Sequence, residues 1–426
     1  MAAAGADFAQ STDATDINVQ GQWRAGQASR LQWNLNYRQL EIVDTTLSDF
    51  DPQETFLGRL EHNLRLWKGL FSSTTNYEIG GGQEPLIEYR YLEVPRGEGV
   101  FFWDPENADF NEDGVPQINE IQEAPFAEQA NIVRVTLFTD QFIRTNKTQL
   151  NQSLRLEPKS IWGRQQKGWM KWLSRWSTLS TFLINRRTRE AEGVSSWNPF
   201  QINISDTALV ALNLSIQNTL FFRPNTTRYN FQLSQKNQRS RQVLTTGFQS
   251  LRVAERSVKG RWNQSAVLST DAEFLIGSRT NDFQLFNEQD YDIQLFRLAP
   301  SLTIRPNNSL RGIFRYRWEE GENRLPEGGE TAVQHDFSFE FTYNQAASTA
   351  IRLNFSFVDV RYRVERNSPG ELALLQGLKD GKNFLWELSV NRTISQNLTL
   401  RLSYNGRQTG GARIVHLGSM EVGARF

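Results

Sequence analysis

The sequence has no cysteine, only 3 histidines and 3 methionines, and no excess of either charge, with 47 Lys plus Arg against 47 Asp plus Glu. Without cysteine there can be no disulfide framework and no thiolate metal site. His62, His335 and His416 are spread along the whole chain, which argues against a His-based catalytic or zinc cluster. Zero formal net charge gives no reason to expect a nucleic-acid partner. No segment approaches the roughly 20 consecutive apolar residues of a membrane-spanning helix. The mean hydropathy of −0.55, taken alone, suggests a polar soluble protein. It excludes a helical membrane protein, but not a β-barrel, whose residues alternate between lipid and lumen and average out as polar. Linker composition is also missing, so the 426 residues read as one domain, 1–426, rather than several. The opening MAAAGADFAQSTDATD carries neither a basic n-region nor an apolar h-region. The expectation is a leader already removed, or a piece of something longer.

What the chain does have is two-residue periodicity. Val210, Leu212, Leu214 and Ile216 alternate with Ala211, Asn213, Ser215 and Gln217. Leu310, Gly312, Phe314, Tyr316 and Trp318 alternate with Arg311, Ile313, Arg315, Arg317 and Glu319. Phe337, Phe339, Phe341 and Tyr343 do the same, as do Leu398, Leu400, Leu402 and Tyr404. Leu31, Trp33, Leu35 and Tyr37 repeat the pattern near the start. Each segment is a strand with one apolar and one polar face. Turn clusters such as RPNTT, RPNNS and EGENRLPEGGE separate them.

A soluble sandwich also alternates, but its strands run about 5–6 residues. These segments run about 10–16, long enough to cross a bilayer when tilted. Aromatic residues gather toward segment ends (Tyr316, Trp318, Tyr343, Tyr404, Trp262, Trp386), as an interfacial girdle requires. The fold class expected is all-β: an antiparallel transmembrane β-barrel of roughly 16–18 strands. Read backward from the C-terminus, the links alternate between long and short. The long, outward ones fall at 405–411, 365–383, 319–331, 279–290, 236–241 and 191–205. An even count of about 18 strands holds if 98–142 is one outward insertion. Counting the strand-like run Val133, Val135, Leu137 as spanning would break that parity.

One motif carries metal chemistry. Residues 109–120 read DFNEDGVPQINE, which fits the calcium-loop template D-x-N-x-D-G with an acid at position 12. Asp109, Asn111 and Asp113 would supply side-chain oxygens and Val115 a backbone carbonyl. Gly114 would allow the sharp turn, and Glu120 would close the shell through both carboxylate oxygens. Flanking helices are not evident, and Pro116 at position 8 removes a pairing amide. An acidic turn without metal is the competing reading. If an ion binds, an all-oxygen, irregular shell favours Ca2+ over magnesium.

The C-terminal segment SMEVGARF places Met420, Val422, Ala424 and Phe426 on one face. It resembles the last strand of bacterial outer-membrane barrels, where a terminal aromatic is the signal read by the barrel-assembly machinery. Residues 80–158, with GGGQEPLIEYRYLEVPRGEGVFFWDPENADFNEDGVPQINE, resemble a segment of large outer-membrane β-barrel proteins of Bacteroidota. In these a Gly-Gln-Glu turn leads to a Gly-x-Gly bend, an aromatic and an Asp/Asn-rich calcium-like loop. The resemblance implies a Gram-negative, multi-pass outer-membrane protein whose C-terminal barrel this chain would form. It implies location more than activity.

Other features have plain readings. Ten Asn-x-Ser/Thr triplets need not be glycosylation sites, because Asn and Ser/Thr at i and i+2 simply share a strand's lumen face. In SIWGRQQKGWMKWLSRW, Trp162, Trp169, Trp172 and Trp176 could form an interfacial amphipathic helix. A loop followed by a strand with girdle indoles is the favoured reading. No G-x-S-x-G, H-E-x-x-H or P-loop occurs, and His335 and His416 share the lipid-facing phase. The expectation is therefore no enzyme. The lumen face should be mixed in sign, with Arg315, Arg317, Arg401 and Arg425 against Asp271, Glu273, Asp336, Glu340, Glu387 and Glu421. Together these point to a porin-like channel or translocation pore for solute or polymer, with outer-membrane lipid around it. A plug could come from 98–142 or from a partner. The alternative is a non-conducting surface scaffold or adhesion barrel that binds a protein partner through a calcium-ordered loop.

Overall fold

The computed structural model describes residues 10–424 apart from 45, 47–51, 104–113, 115, 118–119, 165–167, 192, 203, 205–207, 225, 245–246, 285–289, 326–328, 346–347, 364–368 and 396. The chain begins with long strands β1 (Thr12–Ala25), β2 (Ser29–Ile42), β3 (Gln53–Leu66) and β4 (Phe71–Glu93). Two short strands, β5 (Phe101–Phe102) and β6 (Gln122–Glu123), precede β7 (Ile132–Leu156). Helices α1 (Lys159–Trp162) and α2 (Trp169–Leu173) lead into β8 (Trp176–Arg189) and β9 (Leu209–Phe222). Next come β10 (Tyr229–Leu244), β11 (Gly247–Asn263), β12 (Leu268–Phe283), β13 (Tyr291–Ile304) and β14 (Leu310–Asn323). The chain continues with β15 (Thr331–Gln345), β16 (Thr349–Arg363), α3 (Pro369–Leu375), β17 (Gly381–Ser395), β18 (Leu398–Thr409) and β19 (Val415–Ala424).

The 17 long strands form one antiparallel meander, each paired with its sequence neighbour and β4 paired directly with β7. The sheet is a membrane-spanning β-barrel wall. Its outward rows stay exposed rather than packing into a core: Phe337 is 52% exposed, Trp262 54% and Met420 69%. A continuous apolar band left bare on a sheet this long is what lipid, not water, stabilises. Cross-strand partners such as Phe314 and Phe339, with ring centroids 4.7 Å apart, or Phe357 and Phe384, 5.1 Å apart, tile that band.

The count of 17 lies in the expected range but is odd. Among the described residues β1 pairs only with β2 and β19 only with β18, so the two edge strands run in the same direction. Val133, Val135 and Leu137 belong to β7, where they continue the hairpin with β4 from Glu93↔Ile132 down to Phe71↔Leu156. One strand thus serves both as the arm of the insertion and as a wall strand, and the run adds no separate crossing.

Connections alternate between the two ends. One end carries 26–28, 67–70, 157–175, 223–228, 264–267, 305–309, 346–348 and 396–397. The other carries 43–52, 94–131, 190–208, 245–246, 284–290, 324–330, 364–380 and 410–414. One expected link is corrected: 236–241 is not a loop but the middle of β10, which pairs with β11 out to Leu244↔Gly247. Polar residues at every position there hide the alternation, and sixteen consecutive cross-strand partners override it. The Trp-rich segment is likewise not a plain loop. It forms α1 and α2, with Trp162 against Trp169 at 5.7 Å and Trp172 against Trp176 at 5.5 Å. Trp172, Trp176, Phe222, Phe231 and Leu233 line a shallow apolar groove on the outer surface of that end, an interfacial position.

Glycines on the lipid face make room for indoles. A Cβ on Gly406 would collide with Trp386, its cross-strand partner, and one on Gly21 would collide with Trp33. The ring covers the backbone that the glycine leaves bare. Gly406→Leu is expected to destabilise the folded barrel by about 1–3 kcal/mol through overpacking. The measurement is urea unfolding in detergent, read from the mobility shift between folded and heated protein. Gly418, with nothing within 4 Å of its Cβ position, is the control: Gly418→Ala should change stability by no more than about 0.5 kcal/mol.

Candidate functional site: the lumen and its mouth

Where a strand alternates, its polar phase points inward, so ionisable side chains on neighbouring strands face each other across the ladder. Arg297 on β13 donates to Glu319 on β14 at 2.6 Å, and Arg317 reaches Asp336 on β15 at 3.0 Å and Glu319 at 3.9 Å. Arg311 pairs with Glu340 at 2.7 Å and Arg261 with Asp271 at 2.6 Å. On the other wall Glu78 of β4 holds both Arg59 of β3, at 2.9 Å, and Lys147 of β7, at 3.0 Å. Arg401 and Glu421 form a looser pair at 3.4 Å. Glu387 accepts from Asn354 at 3.0 Å. Of the lumen residues expected from sequence, Arg317, Arg401, Asp271, Asp336, Glu340, Glu387 and Glu421 all join this network, whereas Arg425 lies outside the described residues.

The network is cross-strand, so it stiffens the wall while cancelling its charge locally. Sequence reading missed Arg261 and Arg297, and it placed Arg311 and Glu319 in the polar phase of their strand without counting them among the lumen charges. Their signal was present, since all sit in the polar phase, but which acid each meets depends on register. Toward the end with the shorter links a cavity of about 650 Å³ opens among Arg228, Arg261, Asp271, Arg305 and Arg311. It lies on the inner wall and is lined by both charged and apolar side chains, Val267, Leu268 and Ile313 among the latter.

The other end is partly filled by the chain itself. α3 folds inward from the 364–380 connection, with Pro at its first position and Gly377 at φ 84° just past its end. Leu374 and Leu375 pack on Ile293, Ala332, Val358 and Val360, which are inward-phase residues of β13, β15 and β16. Gly321 on β14 supplies the space: a Cβ there would strike Leu374. Gln334 donates from Nε2 to the Leu374 carbonyl at 2.8 Å, satisfying a helix-end acceptor. Asn383, fully buried, accepts from Lys379 and Gly410 amides and donates to carbonyls of Lys379 and Gly381, tying α3's return to the β18–β19 turn.

The 94–131 insertion reaches the same mouth. Arg407, an inward residue of β18, stacks over the Phe126 ring at 4.0 Å and donates to Glu128. Pro125 and Phe126 fill the space beside Gly377. A cavity of about 490 Å³ remains between Pro125–Glu128 and the inward residues of β16 to β19, among them Ser356, Leu385, Glu387 and Leu417.

Of the calcium-loop candidates, Asp109, Asn111, Asp113 and Val115 lie outside the described residues. Glu120, the twelfth position, is fully buried, and its Oε2 accepts from Trp103 Nε1 at 3.2 Å and from the Gln117 amide at 3.1 Å. These contacts tie the carboxylate to the folded base of the insertion. Among the described residues no three acids or histidines stand together. His335 and His416 lie on the outward phase, each within 2.8 Å of a tyrosine hydroxyl, Tyr316 and Tyr404. Both belong to the aromatic band.

No family model matches the chain, and no curated protein matches it. Solved structures do. The alcaligin outer-membrane receptor FauA of Bordetella pertussis matches at 10% identity and TM-score 0.45, over 97% of this chain and 63% of that one. The ferric-catecholate import receptor Fiu of E. coli K12 matches at 8% identity and TM-score 0.40, over 93% and 64%. The structure of an FpvAI–pyocin S2 complex matches at 10% identity and TM-score 0.44, over 97% and 56%. The likeness is to receptor barrels. The chain thus spans less than two thirds of the length of these structures. At such identities and TM-scores the fold assignment rests on the sheet itself.

Glu319 is the most buried acid of the ladder and serves two arginines, so Glu319→Gln should strand positive charge. The expected loss is about 2–3 kcal/mol, below the usual cost for a fully buried pair because Arg317 keeps Asp336. Urea unfolding of the detergent-folded barrel measures it. Arg401→Gln, at a pair whose side chains are about two-thirds exposed, should cost less than about 0.5 kcal/mol.

Proposed function

We propose that this chain is an outer-membrane β-barrel through which a solute or polymer passes, with its longer links facing the cell exterior and a mouth narrowed by α3 and the 94–131 insertion. The observation that carries the reading is the inner wall. Away from the apolar patch under α3 it carries charges paired across strands, and it opens into the 650 Å³ cavity at the opposite end. A wall of about 17 strands is wide enough for an aqueous path unless something fills it. Locally cancelled charge gives no strong preference for anions or cations.

The second reading, a non-conducting surface scaffold, is favoured by one feature: Phe126 and Glu128 cross the mouth to Arg407 and bridge the insertion to the far wall. Conductance in a planar bilayer separates the two. The channel reading expects steady current from the purified barrel, and a larger one from a Leu374→Asp, Leu375→Asp variant whose α3 is released from the wall. A folded barrel that is silent in both forms sinks the channel and leaves the scaffold.

Calcium at Asp109, Asn111, Asp113, the Val115 carbonyl and Glu120 would order the insertion at the mouth in either case. Glu120 is the residue that ties such a loop to the folded part, through Trp103. Calcium should then protect the insertion from protease, and Asp113→Ala should abolish that protection. Equal cleavage with calcium and with chelator in the parent protein would refute the site.

A further inference from the structure

The outward phase of β10 and β11 changes character along its length. Tyr229, Phe231 and Leu233 on β10 face Trp262, Gly260 and Val258 on β11, and both faces belong to the apolar band. Further along the same outward rows stand Arg239 and Arg241 on β10 and Arg252 and Arg256 on β11. Arg239 and Arg252 are direct cross-strand partners. Like charges directly opposite each other repel and destabilise the pairing. The inward arginines Arg261, Arg297, Arg311 and Arg317 each reach an acid. By contrast, no described acid lies within ion-pair distance of Arg239, Arg252 or Arg256. The acids on neighbouring outward rows are Asp282, opposite Ser250, and Asp292, which accepts from Thr280 at 3.0 Å instead. The Arg239 Nε is buried and without a hydrogen-bond partner.

Guanidinium groups that sit just beyond an apolar membrane band, on the lipid side, are placed where phosphates of lipid headgroups lie. We propose that the outward face of β10 and β11 binds the phosphorylated headgroup of a membrane lipid, with Arg239 and Arg252 sharing one phosphate and Arg256 flanking it. Arg241 stacks instead over the Phe248 ring at 4.5 Å. A planar guanidinium can offer a phosphate two parallel N–H donors, and one anion between two opposed arginines removes their repulsion. The apolar residues below would meanwhile hold the acyl chains. This inference rests on the membrane-spanning reading of the barrel and goes beyond the passage of solute.

The test uses the full chain folded in a phosphate-free detergent. Native mass spectrometry follows retention of a bisphosphorylated glycolipid, lipid A, against its dephosphorylated form and against inorganic phosphate alone. The expected result is retention of lipid A at least tenfold tighter than the dephosphorylated form, and at least a tenfold loss in an Arg239→Gln, Arg252→Gln variant. Arg401→Gln, a change on the inner wall, should bind as the parent does. Equal binding of both glycolipids, equal binding by the variant, or inorganic phosphate competing as well as the lipid would each overturn the proposal. Folding is controlled by stability without lipid, which the variant should match or exceed because the repulsion is gone. Added lipid A should raise the urea midpoint of the parent but not of the variant, and a rise in both would count against the site. Failure to insert into phosphatidylcholine vesicles would instead refute the membrane reading. Insertion without preference for the phosphorylated lipid refutes only this one.

Discussion

Backbone hydrogen bonding is the constraint on which the rest of this molecule depends. In a bilayer no water satisfies a stray N–H or C=O, so a spanning chain must pair every strand with a neighbour. The meander from β1 to β19 does this between every pair of sequence neighbours, leaving among the described residues only the outer edges of β1 and β19 without a partner. Its side chains are then forced into two sets. One set faces lipid and can be large and apolar. The other faces water and can be charged. Glycine opposite tryptophan, as at Gly406 and Trp386, is a local consequence, because a wide ring on an exposed row can cover its neighbour's backbone.

Inside, the same geometry places arginines and acids at cross-strand distance, and the Arg297–Glu319–Arg317–Asp336 run is its clearest product. Two segments then interrupt the simple cylinder from the end with the longer links. α3 enters the lumen because β13, β15 and β16 present Ile293, Ala332, Val358 and Val360 inward there, an apolar patch that would otherwise face water. The insertion enters with it and grips Arg407. On the outside, the 190–208 connection lies down against the wall rather than standing free. Arg186, fully buried on the outward phase, donates to the carbonyls of Ser195 at 2.5 Å and Gln201 at 2.8 Å, and Tyr77 holds the Trp197 carbonyl. The two terminal guanidinium nitrogens are held by the Ser195 and Gln201 carbonyls and by the Thr148 hydroxyl, at 3.2 Å, while Nε has no partner, so the segment is fastened by hydrogen bonding from a buried cation.

The alternation of Phe337, Phe339 and Phe341, or of Leu398, Leu400 and Leu402, was enough to assign strands, their faces and their length, since the side-chain period of a strand is two. It also gave the phase of His335 and His416 and much of the lumen charge. The alternation failed in β10, where Gln235, Lys236, Asn237, Gln238 and Arg239 are polar on both faces. There the register with β11 and β9 decides the structure. It was also silent about α3, because seven residues are too few for a helical period to stand out.

Sequence by itself therefore determined the class of fold, the two-faced wall and the absence of any thiol chemistry, because each follows from composition or from a local repeat. Only the tertiary structure decided which acid meets which arginine, and that α3 and Phe126 lie in the mouth. It also decided that Arg186 is covered while Arg252 is exposed, although both occupy outward positions on their strands. Those outcomes depend on register and on where a connection folds back. Both are set by contacts between residues tens to hundreds of positions apart, as between Glu128 and Arg407, and no local repeat encodes them.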